Sequence, residues 1–204
     1  RDHYLKREHG FAIAIQEPDD TESRLQVNMA VKQALAGYAA QLVEENDTVF
    51  IEGGSTNAVL ARLLSHRADV TIITMNVYIA HLLKESKCNV ILLGGMVQKQ
   101  SEATLGPITR AALQMVHFNK SFIGVDGYTT EHGFTGRDML RADILNSVIA
   151  KCNNNIILSD SSKFGRTHLN ALSPMDRIHQ VITDQHLDQH YKTELAERLI
   201  LSIV

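Results

Sequence analysis

The chain has 204 residues, 44% of them hydrophobic, enough for one large domain or for one domain with an extension. A net charge of −3, 5% aromatic content and no Trp argue against a surface that grips a DNA backbone or stacks single-stranded bases, so small molecules and further copies of the chain are the expected partners. Two distant cysteines, Cys88 and Cys152, fit neither a zinc site nor a disulfide framework and suit a reduced, cytoplasmic setting. The ten histidines show no metal-ligand pairing, and neither a metal nor a cofactor is expected.

No run approaches the ~18 apolar residues of a membrane span, and no signal-peptide pattern opens the chain. It begins at Arg1 without a Met, which suggests a natural start further upstream. Residues 1–20 are charged at first. Phe11-Ala-Ile-Ala-Ile15 then reads as a short strand or docking segment, closed by Pro18, so this stretch is expected to be a linker whose Phe11, Ile13 and Ile15 pack on the domain or on a partner copy. From Thr21 to Glu44 the spacing predicts one long helix with Leu25, Ala30, Ala34, Leu35, Tyr38 and Leu42 on its apolar face.

Thr48-Val-Phe-Ile51 is β-branched and aromatic, a buried strand. Gly53 and Gly54 let the chain turn, and Ser55, Thr56 or Asn57 can cap the helix that follows to about Ser65. Val70 to Thr74 predicts a second strand, with Asn76 opening a helix through Leu83. Asn89 to Leu93 is a third strand, ending in Gly94-Gly95. A polar loop over residues 98–104 leads to Pro107, well placed in the first turn of a helix to about Val116. Lys120 to Asp126 is a fourth strand running into Gly127. A loop with Gly133 and Gly136, a helix from Met139 to about Lys151 and strands at Asn155 to Asp160 and His179 to Asp184 follow. Tyr191 to Leu201 predicts a closing amphipathic helix with Leu195, Leu199 and Ile200 turned inward.

Short apolar strands alternating with helices indicate an α/β, Rossmann-like fold with a mostly parallel sheet covered on both faces. Ligands of such sheets bind outside the carboxyl ends of the strands. Here those ends are rich in polar residues and glycine: Glu52 to Asn57, Thr74 to Asn76, Gly94-Gly95, Asp126-Gly127 and Asp160 to Gly165. The strand, glycine turn and helix start at Gly53 to Asn57 bring free N–H groups and the positive end of a helix dipole together, which suits a phosphate, although a plain connection would look the same. Lys163 can neutralise a phosphate from across a pocket or stand as a surface lysine. Asp126 can accept from sugar hydroxyls or cap the next loop. Ser161 and Ser162 lack a nucleophile elbow. Arg137, Asp138, Arg141 and Asp143 read as a mixed-charge, solvated helix start.

Several blocks in order give the chain a resemblance. Ile51-Glu-Gly-Gly-Ser-Thr56, Gly94-Gly95 with Leu105-Gly106, Phe122-Ile-Gly-Val-Asp-Gly127 with Gly133-Phe-Thr135, Leu158-Ser-Asp-Ser-Ser-Lys-Phe-Gly165 and Val181-Ile-Thr-Asp184 are similar to motifs of the C-terminal effector-sensing domain of the DeoR family of bacterial transcription regulators. The likeness runs from about Glu22 to Asp184. Glu52 replaces the family's usual Asp, Thr74-Met-Asn76 fits its Thr-Asn pair loosely, and Leu145 stands where a lysine is common. The resemblance implies a sheet like that of ribose-5-phosphate isomerases and CoA transferases, a phosphorylated sugar effector and a dimer or tetramer. It also implies DNA binding through a winged helix-turn-helix domain upstream, with residues 1–20 as linker and 21–204 as sensor. Effector contacts are then expected from Glu52, Gly53, Gly54, Ser55, Thr56, Asn57, Thr74, Asn76, Gly94, Gly95, Asp126, Gly127 and Lys163.

The alternatives are a sugar-phosphate aldose–ketose isomerase and a purely structural oligomerisation module. An isomerase needs a base to move a proton between carbons and an electrophile for the enediolate. Tyr128-Thr-Thr-Glu-His-Gly-Phe-Thr-Gly136 has no lysine, and its one carboxylate, Glu131, is unsupported. Polar strand ends argue against the structural module. A non-enzymatic sensor, expected to repress sugar-metabolism genes, is the favoured reading.

Overall fold

The computed structural model describes the backbone of residues 5–8 and 11–14 and all of residues 21–204. Strands β1 (Leu5–Glu8) and β2 (Phe11–Ala14) pair as an antiparallel hairpin. The packing expected of the Phe11, Ile13 and Ile15 side chains lies outside the described residues.

The long helix expected from Thr21 is two helices, α1 (Thr21–Leu25) and α2 (Met29–Gln41). Asn28 between them takes the left-handed conformation with φ 53°, which a short amide side chain tolerates better than most. The buried Lys32 ammonium turns back to donate to the carbonyls of Arg24 and Val27, groups a helix end leaves unsatisfied. The break rotates the buried face: Leu35, Ala36 and Ala39 are inside, whereas Ala30 and Ala34 are exposed.

Next come β3 (Thr48–Ile51), α3 (Ser55–Leu64), β4 (Thr71–Thr74), α4 (Val77–Leu82) and β5 (Asn89–Leu92). The stretch expected to be a polar loop is the hairpin β6 (Met96–Gln98) and β7 (Ala103–Leu105), followed by α5 (Pro107–Gln114) and β8 (Lys120–Ile123). The loop with Gly133 and Gly136 is likewise a hairpin, β9 (Gly127–Thr129) with β10 (Gly133–Gly136). Helix α6 (Met139–Lys151), β11 (Asn155–Leu158), β12 (Asn170–Ala171), β13 (Gln180–Thr183), α7 (Gln189–Ala196) and β14 (Ile200–Ile203) complete the chain. The expected closing helix therefore stops early. Leu195 is buried as expected, but Ile200 is half exposed on a seventh, edge strand, where its β-branched side chain fits better than in a helix.

Seven parallel strands form the main sheet in the order β14-β13-β11-β8-β3-β4-β5. Both faces of its centre are covered. Phe50, Ile73, Ile123, Ile157 and Val181 pack toward α5 and α6, while Val49, Ile51, Phe122, Ile156 and Ile182 pack toward α2 and α3. Helix α2 lies against α3 and reaches β11 and β13. After β3 the chain builds outward to β5, then returns at β8 to β3's other side. That reversal between β3 and β8 opens a crevice beyond their carboxyl ends. No helix among the described residues is long and apolar enough to cross a membrane.

At the opposite end of β3 and β8, the Lys120 ammonium meets the Asp47 carboxylate at 2.7 Å, with Glu44 N–H donating to the same oxygen at 2.7 Å. Asp47 is 5% exposed. Burial opposes its ionisation, but Lys120, Asn119 and the Glu44 N–H together hold its carboxyl below the usual carboxylate range. A lowered carboxylate pKa adds stability above the unfolded value and loses it as pH falls through the folded one. Acid unfolding should therefore show a component below pH 3.8 that Asp47→Asn removes, measured by urea midpoints across pH.

Candidate functional site

A cleft of about 610 Å³ occupies the crevice where the β3 and β8 ends meet α1, α2, α6 and the Asp160–Lys163 turn. Gly54 precedes α3 with φ 113°, a conformation side chains resist, and Ala58 N–H is the amide that closes the first turn onto Gly54 O at 2.9 Å. The amides of Ser55, Thr56 and Asn57 are thus those a helix leaves without an intrahelical acceptor. Gly53 has no room for a side chain, since a Cβ would sit 2.7 Å from Asn76 Nδ2. Asn76 accepts from Ile79 N–H at 2.9 Å to cap α4 and donates to Ser101 O at 3.0 Å in the β6–β7 turn. Asn57 is 2% exposed. Its amide nitrogen faces the carbonyls of Gly53 and Phe122 at 3.5 and 3.4 Å, and its Oδ1 has no donor among the described residues.

The charge in the cleft is organised by Arg141, in the first turn of α6. Its Nε donates to Glu52 Oε1 at 2.8 Å, one terminal nitrogen to Asp126 Oδ2 at 2.8 Å and the other to Gly124 O at 3.0 Å. Gly124 N–H donates to Glu52 Oε2 at 3.1 Å, and Arg137 N–H to Asp126 Oδ2 at 2.9 Å. Burial works against the Arg141 charge, but Glu52 and Asp126 outweigh it and raise the pKa above its ordinary value. Burial likewise opposes ionisation of Asp126, yet Arg141 and the Arg137 N–H hold its carboxyl below the usual range. Asp138 caps α6 by accepting from Arg141 N–H at 2.7 Å. It also accepts from Gln98 Nε2 at 2.8 Å, tying the β6–β7 hairpin to α6 over the cleft.

Lys163 lines the cleft from the turn after β11. That turn is fixed by Asp184, which accepts from Ser161 N–H at 2.7 Å, the Ser161 hydroxyl at 2.8 Å and His186 N–H at 2.9 Å. Asp160 accepts from Ser162 N–H at 2.9 Å.

Of the residues singled out in the sequence, Glu52 to Asn57, Asn76, Asp126 and Lys163 line this cleft, and Thr74, Gly94, Gly95 and Gly127 do not. Thr74 is buried and its hydroxyl accepts from Asn76 N–H at 3.1 Å, shaping the turn behind the cleft. Gly95 and Gly127 are packing positions: a Cβ would meet the Thr109 hydroxyl at 1.9 Å and the Arg166 carbonyl oxygen at 2.4 Å, respectively. The patch read as a solvated helix start divides. Asp143 faces Arg110 at the surface, whereas Arg141 is the hub of the cleft. The signal that was there to be used is that Glu52 and Asp126, both at strand ends, need a counter-charge.

The family model described as DeoR C terminal sensor domain matches residues 27–185. The chain is 32% identical to the HTH-type transcriptional regulator IolR of Bacillus subtilis, over 88% of this chain and 72% of that protein. It is 28% identical to a putative aga operon transcriptional repressor of Escherichia coli O157:H7, over 80% of this chain and 61% of that protein. The chain spans about two thirds of the length of the curated relatives it matches. Among solved structures it is similar to the translation initiation factor eIF-2B of Pyrococcus horikoshii OT3, with TM-score 0.56 and 15% identity over 78% of this chain and 64% of that one. It is also similar to a D-ribose-5-phosphate isomerase in complex with phospho-erythronic acid, with TM-score 0.50 and 15% identity over 67% and 54%. At such identities these likenesses show the fold alone. The chain belongs to the DeoR C-terminal sensor domain family, the effector-sensing part of HTH-type transcriptional regulators.

Proposed function

We propose that the cleft binds a phosphorylated sugar and that the chain passes its occupancy to a DNA-binding domain. The observation that carries this reading is the start of α3 at the β3–β8 reversal, where unsatisfied amides face a cleft lined by Lys163. The phosphate sits over the amides of Ser55, Thr56 and Asn57, with Lys163 supplying charge. Asn57 Oδ1, Asn76, Glu52 and Asp126 read the hydroxyls. DNA is reached through a winged helix-turn-helix domain preceding residues 1–20, which serve as linker, and the cytoplasmic regulator acts as a dimer or tetramer.

A thermal-shift screen against sugar phosphates tests the reading, because a ligand that binds only the folded state raises the melting temperature. Gly54→Val puts a β-branched residue at φ 113° beneath the anion and should weaken the responding ligand by about tenfold or more while the circular dichroism stays native. Unchanged affinity would place the anion elsewhere.

The domain performs no isomerisation in this reading. Asp126, the carboxylate best placed to abstract a proton, is held ionised by Arg141 and the Arg137 N–H, and a lowered pKa makes it a weak base. Incubation with ribose 5-phosphate should yield no ketose product. Turnover that vanishes in Asp126→Asn would reverse this conclusion.

A further inference from the structure

The two sides of the cleft differ in charge. The β3, β8 and α6 side presents Glu52, Asp126 and Asp138 with arginines among them, a surface suited to hydroxyls. The α1–α2 side contributes Arg24, Val27, Asn28, Val31 and Lys32, with no carboxylate. On that side Lys32 holds the end of α1 through the Arg24 and Val27 carbonyls. Arg24 is different. It lines the cleft, and its Nε is shielded from solvent yet has no acceptor among the described residues. A shielded guanidinium N–H without an acceptor is unfavourable, and an anionic oxygen is its best complement. Helix α1 packs on α3, whose first amides open into the same cleft.

We propose that Arg24 is a direct ligand of the effector's phosphate, donating to phosphate oxygens held over the start of α3. The proposal rests on reading the cleft as a sugar-phosphate site, and it adds an orientation. The phosphate lies toward α1 and α3, and the hydroxyls lie toward Arg141. It also adds a connection. Arg24 belongs to the first helix after the N-terminal segment, and Thr21 N–H at the start of that helix donates to Glu102 Oε2 at 3.3 Å. A phosphate held by Arg24 therefore fixes the helix through which the N-terminal segment enters the domain.

Calorimetric titration with inorganic phosphate, and with any sugar phosphate that raises the melting temperature, tests this on wild type, Arg24→Gln and Arg24→Lys. Arg24→Gln should bind phosphate and sugar phosphate about tenfold or more weakly. Arg24→Lys should recover only part of the loss, since an ammonium lacks the planar fork. Hydrogen exchange should show phosphate protecting the α1 amides in wild type and not in Arg24→Gln. Equal affinities for wild type and Arg24→Gln would overturn the role of Arg24 and leave the sugar-phosphate reading standing. A wild-type chain that binds neither phosphate nor any sugar phosphate would overturn both. Should Arg24→Gln prove unfolded, Arg24→Lys decides: weakened binding supports the proposal and unchanged binding overturns it.

Discussion

Arg141→Met is expected to lose about 3–5 kcal/mol of folding stability and effector binding with it, the loss typical of removing one partner from a buried ion pair. Glu52 is 2% exposed, and Arg141 is its ion-pair partner among the described residues. Without the guanidinium, two carboxylates face each other's charge across the β3–β8 reversal. The dependence on pH has a definite sign. In wild type the Arg141–Asp126 pair adds stability above the ordinary Asp pKa and loses it as pH falls through the lowered value. In the variant the partly buried Asp126 loses the charge that lowers its pKa, and burial alone pushes it upward instead. The deficit relative to wild type should therefore be largest near neutral pH and shrink in mild acid. Urea midpoints at several pH values read this directly. A deficit independent of pH would assign the loss to packing rather than charge. Glu52→Gln added to Arg141→Met should recover part of the stability, a coupling that a double-mutant cycle measures.

The second large effect is expected from Gly127→Ala. The added Cβ would sit 2.4 Å from the Arg166 carbonyl oxygen and 2.9 Å from the Thr135 hydroxyl. Strand β9 is tied to that neighbouring segment, with Gly165 N–H donating to Tyr128 O at 2.8 Å, so the contact meets backbone that cannot swing aside. Overpacking of this kind costs about 1–3 kcal/mol, and here the upper part of that range is expected. Effector affinity of the folded molecules should not change, because Gly127 lies outside the cleft. A variant with native stability and weakened binding would extend the site to β9.

These two residues mark where the sequence was legible and where it was not. The β3 strand, the Gly53-Gly54 turn and the α3 start are local, each set by residues within a few positions of one another, and the structure has them where the pattern placed them. Arg141 was invisible as a cleft residue because its partner Glu52 lies 89 positions away, and only the fold brings them together. Glycines after strands looked alike in the sequence, yet Gly53 backs onto the cleft while Gly95 and Gly127 make room for neighbouring atoms. The chain's end was misread for another reason. Leu195, Leu199 and Ile200 match a helical face, but the Ile200–Ile203 run also matches a short strand, and parallel pairing with β13 decides between them. The split of α1 from α2 depends on one left-handed Asn and on a lysine that folds back, neither of which periodicity can register.

Helix α2 carries a consequence for how the protein is made. It leaves the ribosome more than a hundred residues before β11 and β13, which form part of its seat. Leu35, Ala36 and Ala39 must therefore wait with only α3 and the early strands β3 and β4 of their layer in place while the later strands are added, for on the order of ten seconds at ordinary translation rates. During that interval the nascent chain presents an uncovered apolar layer to chaperones and to other nascent chains. Messages truncated before the β13 codons would leave that layer permanently open, and their products belong in the insoluble fraction.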